Sequence, residues 1–357
     1  MNDSCLEFAK AFSNANGISG FEDDVLKLAR GFIAPSIHIE EDKIRNLYLR
    51  SSRNTGNRPV VMIDGHSDEV GFMIQSINKN GTLKFIPVGG WSAQVVMGQR
   101  VRVRNAKGEY IPAIVAAKPP HFIKAEDKNK AIDIADMFID VGAMSKAEVC
   151  EDHMIEPGAP VVPDVDFSFD AARKMMMGKA FDCRLGCAAV IETLNRLEHL
   201  DAKVDVVGTL SSQEELGLRG AQVAARRVDP DVAIIFEGTP ADDVFKDEDA
   251  AQSVLKKGPQ IRHRDNSMMA NPRFVGFARK IARRASVPFQ DAVRDSGGTN
   301  GGMVTLAGRG VPVVVLGVPV RYIHAPHGLA AIDDLQWAVA WACEIIKQLD
   351  EDIIKGF

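Results

Sequence analysis

Four short, apolar, β-branched runs end in residue types that bind cations, and no other feature constrains the fold of this chain as much. Residues 58–64 run into His66 and Asp68, 204–210 into Glu214 and Glu215, 232–236 into Glu237, and 311–318 through Pro319 to His324. Such runs read as strands buried on both faces. Segments 185–200, 272–285 and 335–349 carry apolar residues at helical spacing. Strands alternating with helices predict an α/β fold, with a mixed, largely parallel sheet sandwiched by helices. Ligands of open α/β sheets sit beyond the carboxyl ends of the strands, so these side chains are expected to converge in one crevice. Asp182, just ahead of the helix at 185–200, is a fifth candidate.

The chain has 357 residues. That exceeds the roughly 250–300 at which a single core stops growing, so about two domains are expected. Leu6 to Ala34 reads as two helices parted at Asn16–Gly20. Residues 70–165 differ from the rest: they alternate around Asn80-Gly81, a hairpin dipeptide, and again around Asn105–Gly108, with frequent Pro and Gly. This predicts an all-β module at 70–165 inserted into a catalytic domain made of 1–69 and 166–357.

Lys+Arg 43 against Asp+Glu 48, without long blocks of one sign, provides no footprint for nucleic acid. The most apolar run, 311–320, is interrupted by Gly317 and two prolines and stops at Arg321, short of the roughly 20 residues of a membrane span. The start, MNDSCLEFAKAF, has no apolar leader, and a cytoplasmic location is expected. Five cysteines without CxxC spacing suggest reduced thiols, with Cys183 and Cys187 as small buried side chains.

Each candidate alone has a plain structural explanation: a solvated Glu pair, a hydrogen-bonded His66, Asp182 as a helix cap, Asp68 as a turn cap. Their joint occurrence at strand ends points instead to a metal centre. Histidines mixed with carboxylates suit zinc, cobalt or manganese rather than magnesium or calcium. Asp182, Glu215 and Glu237 set three negative charges against the four positive of two dications, and a hydroxide balances the remainder. One carboxylate must stay off the metals as general base. Neighbours on an extended chain face opposite ways, so Glu214 and Glu215 are expected to divide these roles. Asp68 is placed to orient the His66 ring.

Four motifs then carry a resemblance: Ile63-Asp64-Gly65-His66-Ser67-Asp68-Glu69-Val70-Gly71-Phe72, Gly178-Lys179-Ala180-Phe181-Asp182-Cys183-Arg184-Leu185-Gly186, Gln213-Glu214-Glu215-Leu216-Gly217-Leu218-Arg219-Gly220 and Arg321-Tyr322-Ile323-His324. Together they resemble the tetrahedral aminopeptidases, cytosolic dinuclear metallopeptidases related to glutamyl aminopeptidase and often labelled cellulases or endoglucanases. The resemblance covers nearly the whole chain, including Lys118–His121 and Asp140–Ala143. It implies a zinc-exopeptidase-like fold and two divalent ions, zinc or cobalt, with manganese also suitable. One ion falls to His66, Asp182 and Glu237, the other to Asp182, Glu215 and His324, with Asp182 bridging. Glu214 matches the general base acting on a metal-bridging hydroxide, and Asp68 the support of His66. The inserted module resembles a β-barrel-like dimerisation domain whose dimers build a hollow dodecamer open to short peptides.

Some positions depart from the family pattern. Glu237 stands where Asp is common; Ser67, Cys183 and Asn300 replace a frequent Met, Asp or Asn, and Asp. In related dinuclear peptidases a Glu like Glu237 accompanies carboxypeptidase or acylase chemistry, which is the alternative reading of the same site. An endoglucanase is disfavoured: oppositely directed Glu214 and Glu215 cannot flank one bond, two histidines have no role, and 6% aromatics leaves few platforms for sugar. A non-catalytic assembly protein has only Glu237 and Asn300 in its favour. His121 is assigned to subunit contacts, His327 is a spare beside His324, and Met175–Met177 reads as packing.

Overall fold

The computed structural model describes residues 4–122 and 131–357. Asp205–Ser211, Val60–His66, Val232–Pro240 and Val313–Arg321 lie side by side and parallel, forming the centre of an eleven-stranded mixed sheet. They are buried along almost their whole length, as their apolar composition requires. Antiparallel strands widen the sheet on both sides. Leu47–Ser51 and Ile37–Glu41 lie beyond Asp205–Ser211, while Gly328–Ala331, Met175–Gly178 and Ser168–Asp170 lie beyond Val313–Arg321. Gln260–Arg264 pairs with Val313–Arg321 as well, and carries Gln290–Val293.

Helix Phe181–Leu197 packs on the central strands and against helices Ser4–Asn14 and Ile332–Gln348. Arg219–Val228 and Gly301–Val304 pack together on the sheet as well. The start of Phe181–Leu197 approaches the strands closely. A Cβ added at Gly65 would lie 2.7 Å from the Gly186 carbonyl carbon, and one at Gly238 would lie 2.7 Å from Asp182 Cα. Only glycine permits this contact, and it carries Asp182 to the strand ends.

A closed six-stranded barrel is built from Gly71–Ile77, Leu83–Val88, Arg100–Arg104, Tyr110–Ala116, Phe138–Asp140 and Pro160–Pro163. Its interior holds a separate core that includes Phe72, Phe85, Val103, Val115 and Ile139. Gly81 and Gly108 turn its two hairpins at φ of 87° and 84°, where other residues would be strained. Among the described residues, no helix is long and apolar enough to cross a membrane.

The structure differs from the sequence reading at several places. His66 closes its strand rather than following it, and the last parallel strand runs on through Pro319 to Arg321. Asp182 does not cap the helix, the plain alternative to a ligand role: it is extended at φ −86°, ψ 106° in the kinked start of Phe181–Leu197, and its carboxylate faces two histidines. Helix Arg219–Val228 escaped the reading because its buried face is made of small residues, Gly220, Ala221, Ala224 and Ala225, with Val228 as its one larger apolar side chain.

One buried ion cluster ties the pieces together. Glu69 meets Lys179 Nζ at 2.6 Å and Arg184 Nη2 at 3.2 Å, and all three side chains are at most 1% exposed. The two cations also donate to carbonyls of Phe12, Ala15 and Gly17. The N-terminal helix, the loop after His66 and the segment leading to Asp182 are thereby joined. Glu69→Leu leaves two buried cations without a carboxylate, a change that costs ~3–5 kcal/mol. A lowered urea midpoint is the expected result; an unchanged midpoint contradicts this role.

Candidate metal centre

Strand ends and two left-handed turns aim the candidate side chains at one point. Glu237 lies within Val232–Pro240, aligned with Gly317 of the next strand. Gln213, at φ 53°, turns the chain after Asp205–Ser211 so that Glu214 and Glu215 follow in a bend. Tyr322 and His324, at φ 63° and 55°, fold the chain back after Val313–Arg321.

His66 Nε2 lies 3.1 Å from Asp182 Oδ1, 3.4 Å from Glu237 Oε1 and 3.8 Å from Glu214 Oε2. His324 Nε2 lies 3.5 Å from Asp182 Oδ2 and 3.4 Å from Glu215 Oε1. Asp182 thus divides its two oxygens between two imidazoles. Donor atoms of His66, Asp182, Cys183 and Glu237 fall within 4.8 Å of one another, as do those of Asp182, Glu215 and His324. His66, Glu214 and Glu215 form a third such group. Both Glu residues line the same cavity of about 450 Å³. The expectation that they face opposite ways is therefore wrong, because they sit in a bend rather than on extended chain.

Asp68 is fully buried and organises the bend. It accepts from the amides of Glu214 (3.0 Å) and Glu215 (3.1 Å) and from Ser19 Oγ (2.6 Å). His66 Nδ1 lies 3.2 Å from the Asp68 carbonyl and 3.3 Å from its Oδ1. Both partners are acceptors, so a neutral ring keeps its proton on Nδ1 and turns the Nε2 lone pair to the cluster. Glu22, absent from the sequence reading, is also buried and accepts from the Gln213 amide at 3.2 Å and Gly20 at 2.8 Å. Three successive amides, 213 to 215, are thus held by two carboxylates.

A second unforeseen network lies beneath the strand ends. Asn300 donates to Asp64 Oδ2 (2.8 Å) and Ser211 Oγ (2.7 Å), and Thr209 Oγ1 donates to Asp64 at 2.5 Å. An amide donor facing a buried carboxylate explains why Asn suits position 300 here.

The electrostatics favour cations. Burial, and then neighbouring carboxylates, drive Glu214 well above the usual range and Glu237 to about 7. Burial raises Glu215 as well. Burial alone would lower His324, but the facing carboxylates of Asp182 and Glu215 carry it to about 11. Against its own burial, Asp182 is held low by His324 and His66. Both oxygens of Glu237 and Oε1 of Glu215 are buried without a hydrogen-bond donor among the described residues. Unpaired buried carboxylates are costly, and two dications would satisfy them. The residues present therefore fit such a pair of ions.

Cys183 is buried at the cluster edge, its thiol 3.3 Å from the Phe236 carbonyl and pushed upward by burial. Cys187 is likewise buried, against the His66 carbonyl at 3.0 Å. His327 is exposed and outside the three donor groups, and exposed His121 lies in a short helical turn, Pro120–Phe122.

Comparison with known proteins gives a consistent result. The chain matches the M42 glutamyl aminopeptidase family over residues 46–340. It is 31% identical to glutamyl aminopeptidase of Lactococcus lactis subsp. cremoris (strain MG1363) over 345 residues, 96% of each chain. The structure is similar to the TET aminopeptidase of the marine sediment archaeon Thaumarchaeota archaeon SCGC AB-539-E09, with TM-score 0.94, 37% identity and 99% of both chains covered. It is also similar to the Pyrococcus horikoshii TET1 peptidase, described as assembling into a tetrahedron or a large octahedral shell. There the TM-score is 0.86 at 27% identity, covering 97% of this chain and all of the other.

Burial, and then Asp68, raise Glu22 from 4.5 to about 7. A folded-state value above the unfolded one means that stability falls as pH rises from 4.5 to about 7, with the loss complete above that. Glu22→Gln abolishes this titration. The melting temperature of Glu22→Gln minus that of the unaltered protein should climb over this window and then level off; a flat difference contradicts the assignment.

Proposed function

The chain belongs to the M42 glutamyl aminopeptidase family and is a metal-dependent aminopeptidase, and we propose that it cleaves N-terminal residues from short peptides at the cluster around Asp182. In this reading His66, Asp182 and Glu237 hold one divalent cation, and Asp182, Glu215 and His324 the other. The observation that carries it is the division of the Asp182 oxygens between His66 and His324. Zinc or cobalt suits these nitrogen and oxygen donors, and manganese is a further fit. Such ions would supply Lewis acidity toward the scissile carbonyl and make water acidic enough to attack near neutral pH.

The remaining chemistry belongs to the protein. Glu214 lies beside the cluster, and its burial gives a carboxylate with strong affinity for a proton. It takes a proton from the attacking water and delivers it to the amine nitrogen as the C–N bond breaks. Asp68 fixes the Glu214 backbone and the His66 ring without touching the reacting atoms. Family membership supports aminopeptidase chemistry over the carboxypeptidase or acylase alternative prompted by Glu237.

We extend the proposal to assembly and location. Dimers formed through the barrel module would build a closed dodecamer, a reading supported by the TET1 relative described as a dodecamer and by exposed Ile86 and Ile114 on barrel strands and Met97 and Met144 in the connecting segments. Five free cysteines suit a reducing, cytoplasmic setting.

Glu214→Gln keeps a neutral acceptor of similar shape but removes the base. It is expected to bind the same number of ions by elemental analysis and to lose about 10²–10⁴ in kcat. Full turnover by this variant contradicts the mechanism. Chelation should abolish activity, and zinc or cobalt should restore it.

A further inference from the structure

Cys183 follows Asp182 in the chain, and its sulfur is the one soft donor in the three groups that could hold a cation. It belongs to the group of His66, Asp182 and Glu237, whose donor atoms all lie within 4.8 Å of one another. The other two groups offer only nitrogen and oxygen. Cys183 is fully buried, and so is Cys187 one helical turn further on, yet Cys187 enters none of the groups.

The surroundings of the sulfur point the same way. Its one hydrogen bond among the described residues is to the Phe236 carbonyl at 3.3 Å, at the seam between the segments that carry Asp182 and Glu237. A thiol is a weak donor, so this contact does little to hold it. Beside it, Glu237 is 4% exposed, with both carboxylate oxygens buried and lacking a donor among the described residues. A Cβ added at Gly186 would lie 2.2 Å from the Cys183 sulfur, so glycine there makes room for it. Packing alone would be served by any small apolar side chain and gives no reason for a sulfur among three cation donors. Zinc is commonly held by four ligands drawn from Cys, His and carboxylates, and thiolates favour it over harder ions.

We propose that Cys183, as its thiolate, is a fourth protein ligand of the cation held by His66, Asp182 and Glu237, and that this half of the pair therefore selects a thiophilic ion such as zinc. Binding exchanges the S–H bond for a sulfur–metal bond and releases one proton to solvent. The half made by Asp182, Glu215 and His324 lacks sulfur and lacks this preference. With the thiolate, Asp182, Glu215 and Glu237 set four negative charges against the four positive of two dications. The inference rests on the two-cation reading above and adds to it the class of ion that one half takes.

Metal-free protein is titrated with cobalt and followed by absorption, while bound cobalt is counted by elemental analysis. A cobalt–thiolate bond gives an intense near-ultraviolet charge-transfer band that nitrogen and oxygen ligands do not. The unaltered protein should show the band, Cys183→Ser should lose it, and Cys187→Ser should keep it. Two bound ions without the band overturn the thiolate ligand and leave the two-cation reading standing. The band with a single ion per chain does the reverse, and absence of bound cobalt overturns both. A band that survives Cys183→Ser comes from another cysteine and overturns the inference. X-ray absorption on the unaltered zinc-loaded protein needs no variant: a sulfur shell at about 2.3 Å is expected, and a shell of nitrogen and oxygen alone contradicts it. Crystals soaked in mixed zinc and manganese, read at both absorption edges, should show zinc concentrated beside His66 and Glu237. An even distribution over the two halves overturns the selectivity.

Discussion

A single buried carboxylate, that of Asp68, sets the geometry on which the site depends. It is fully desolvated, yet it is compensated by Ser19 and by the amides of Glu214 and Glu215, and it faces the His66 ring. Three separated stretches of chain, at Ser19, 66–68 and 214–215, meet on one side chain. A backbone bend at Gln213 has no helix or strand to hold it, so its two acidic residues owe their direction to Asp68 and Glu22. Hydrogen bonds of this kind are strong because one partner is ionised and the surroundings exclude water. Direction, more than stability, is what they provide.

Beneath this lies a fold suited to the task. Parallel strands end together, so residues far apart in sequence arrive at one edge without long loops. Glycine at 65 and 238 lets the segment carrying Asp182 press against those ends. The triad of Glu69, Lys179 and Arg184 then locks the N-terminal helix to the same region. Charges in the cavity are segregated: carboxylates and imidazoles gather at the metal cluster, while Arg262 and Arg294 stand elsewhere on the wall with their own acidic partners.

The sequence made the central strands, the hairpins at Gly81 and Gly108 and the five metal-ligand candidates visible, because each depends on local pattern: apolar runs, turn dipeptides and residue type at a strand end. Partners in buried polar contacts were hidden. Glu22, Asp64, Glu69 and the two arginines look like ordinary surface charges until the fold brings their partners near, from 191 residues away in the case of Glu22 and Gln213. The alternation argument for Glu214 and Glu215 failed for a related reason. It assumed extended chain, and the left-handed turn at Gln213 is not a glycine that would have announced itself.

The central claim is that Asp182 joins two cation sites, and anomalous diffraction from zinc-loaded crystals tests it most directly. The account predicts two peaks about 3.5–4 Å apart. One should be flanked by His66 and Glu237, the other by Glu215 and His324, with Asp182 between them. A single peak, or density away from Asp182, contradicts it.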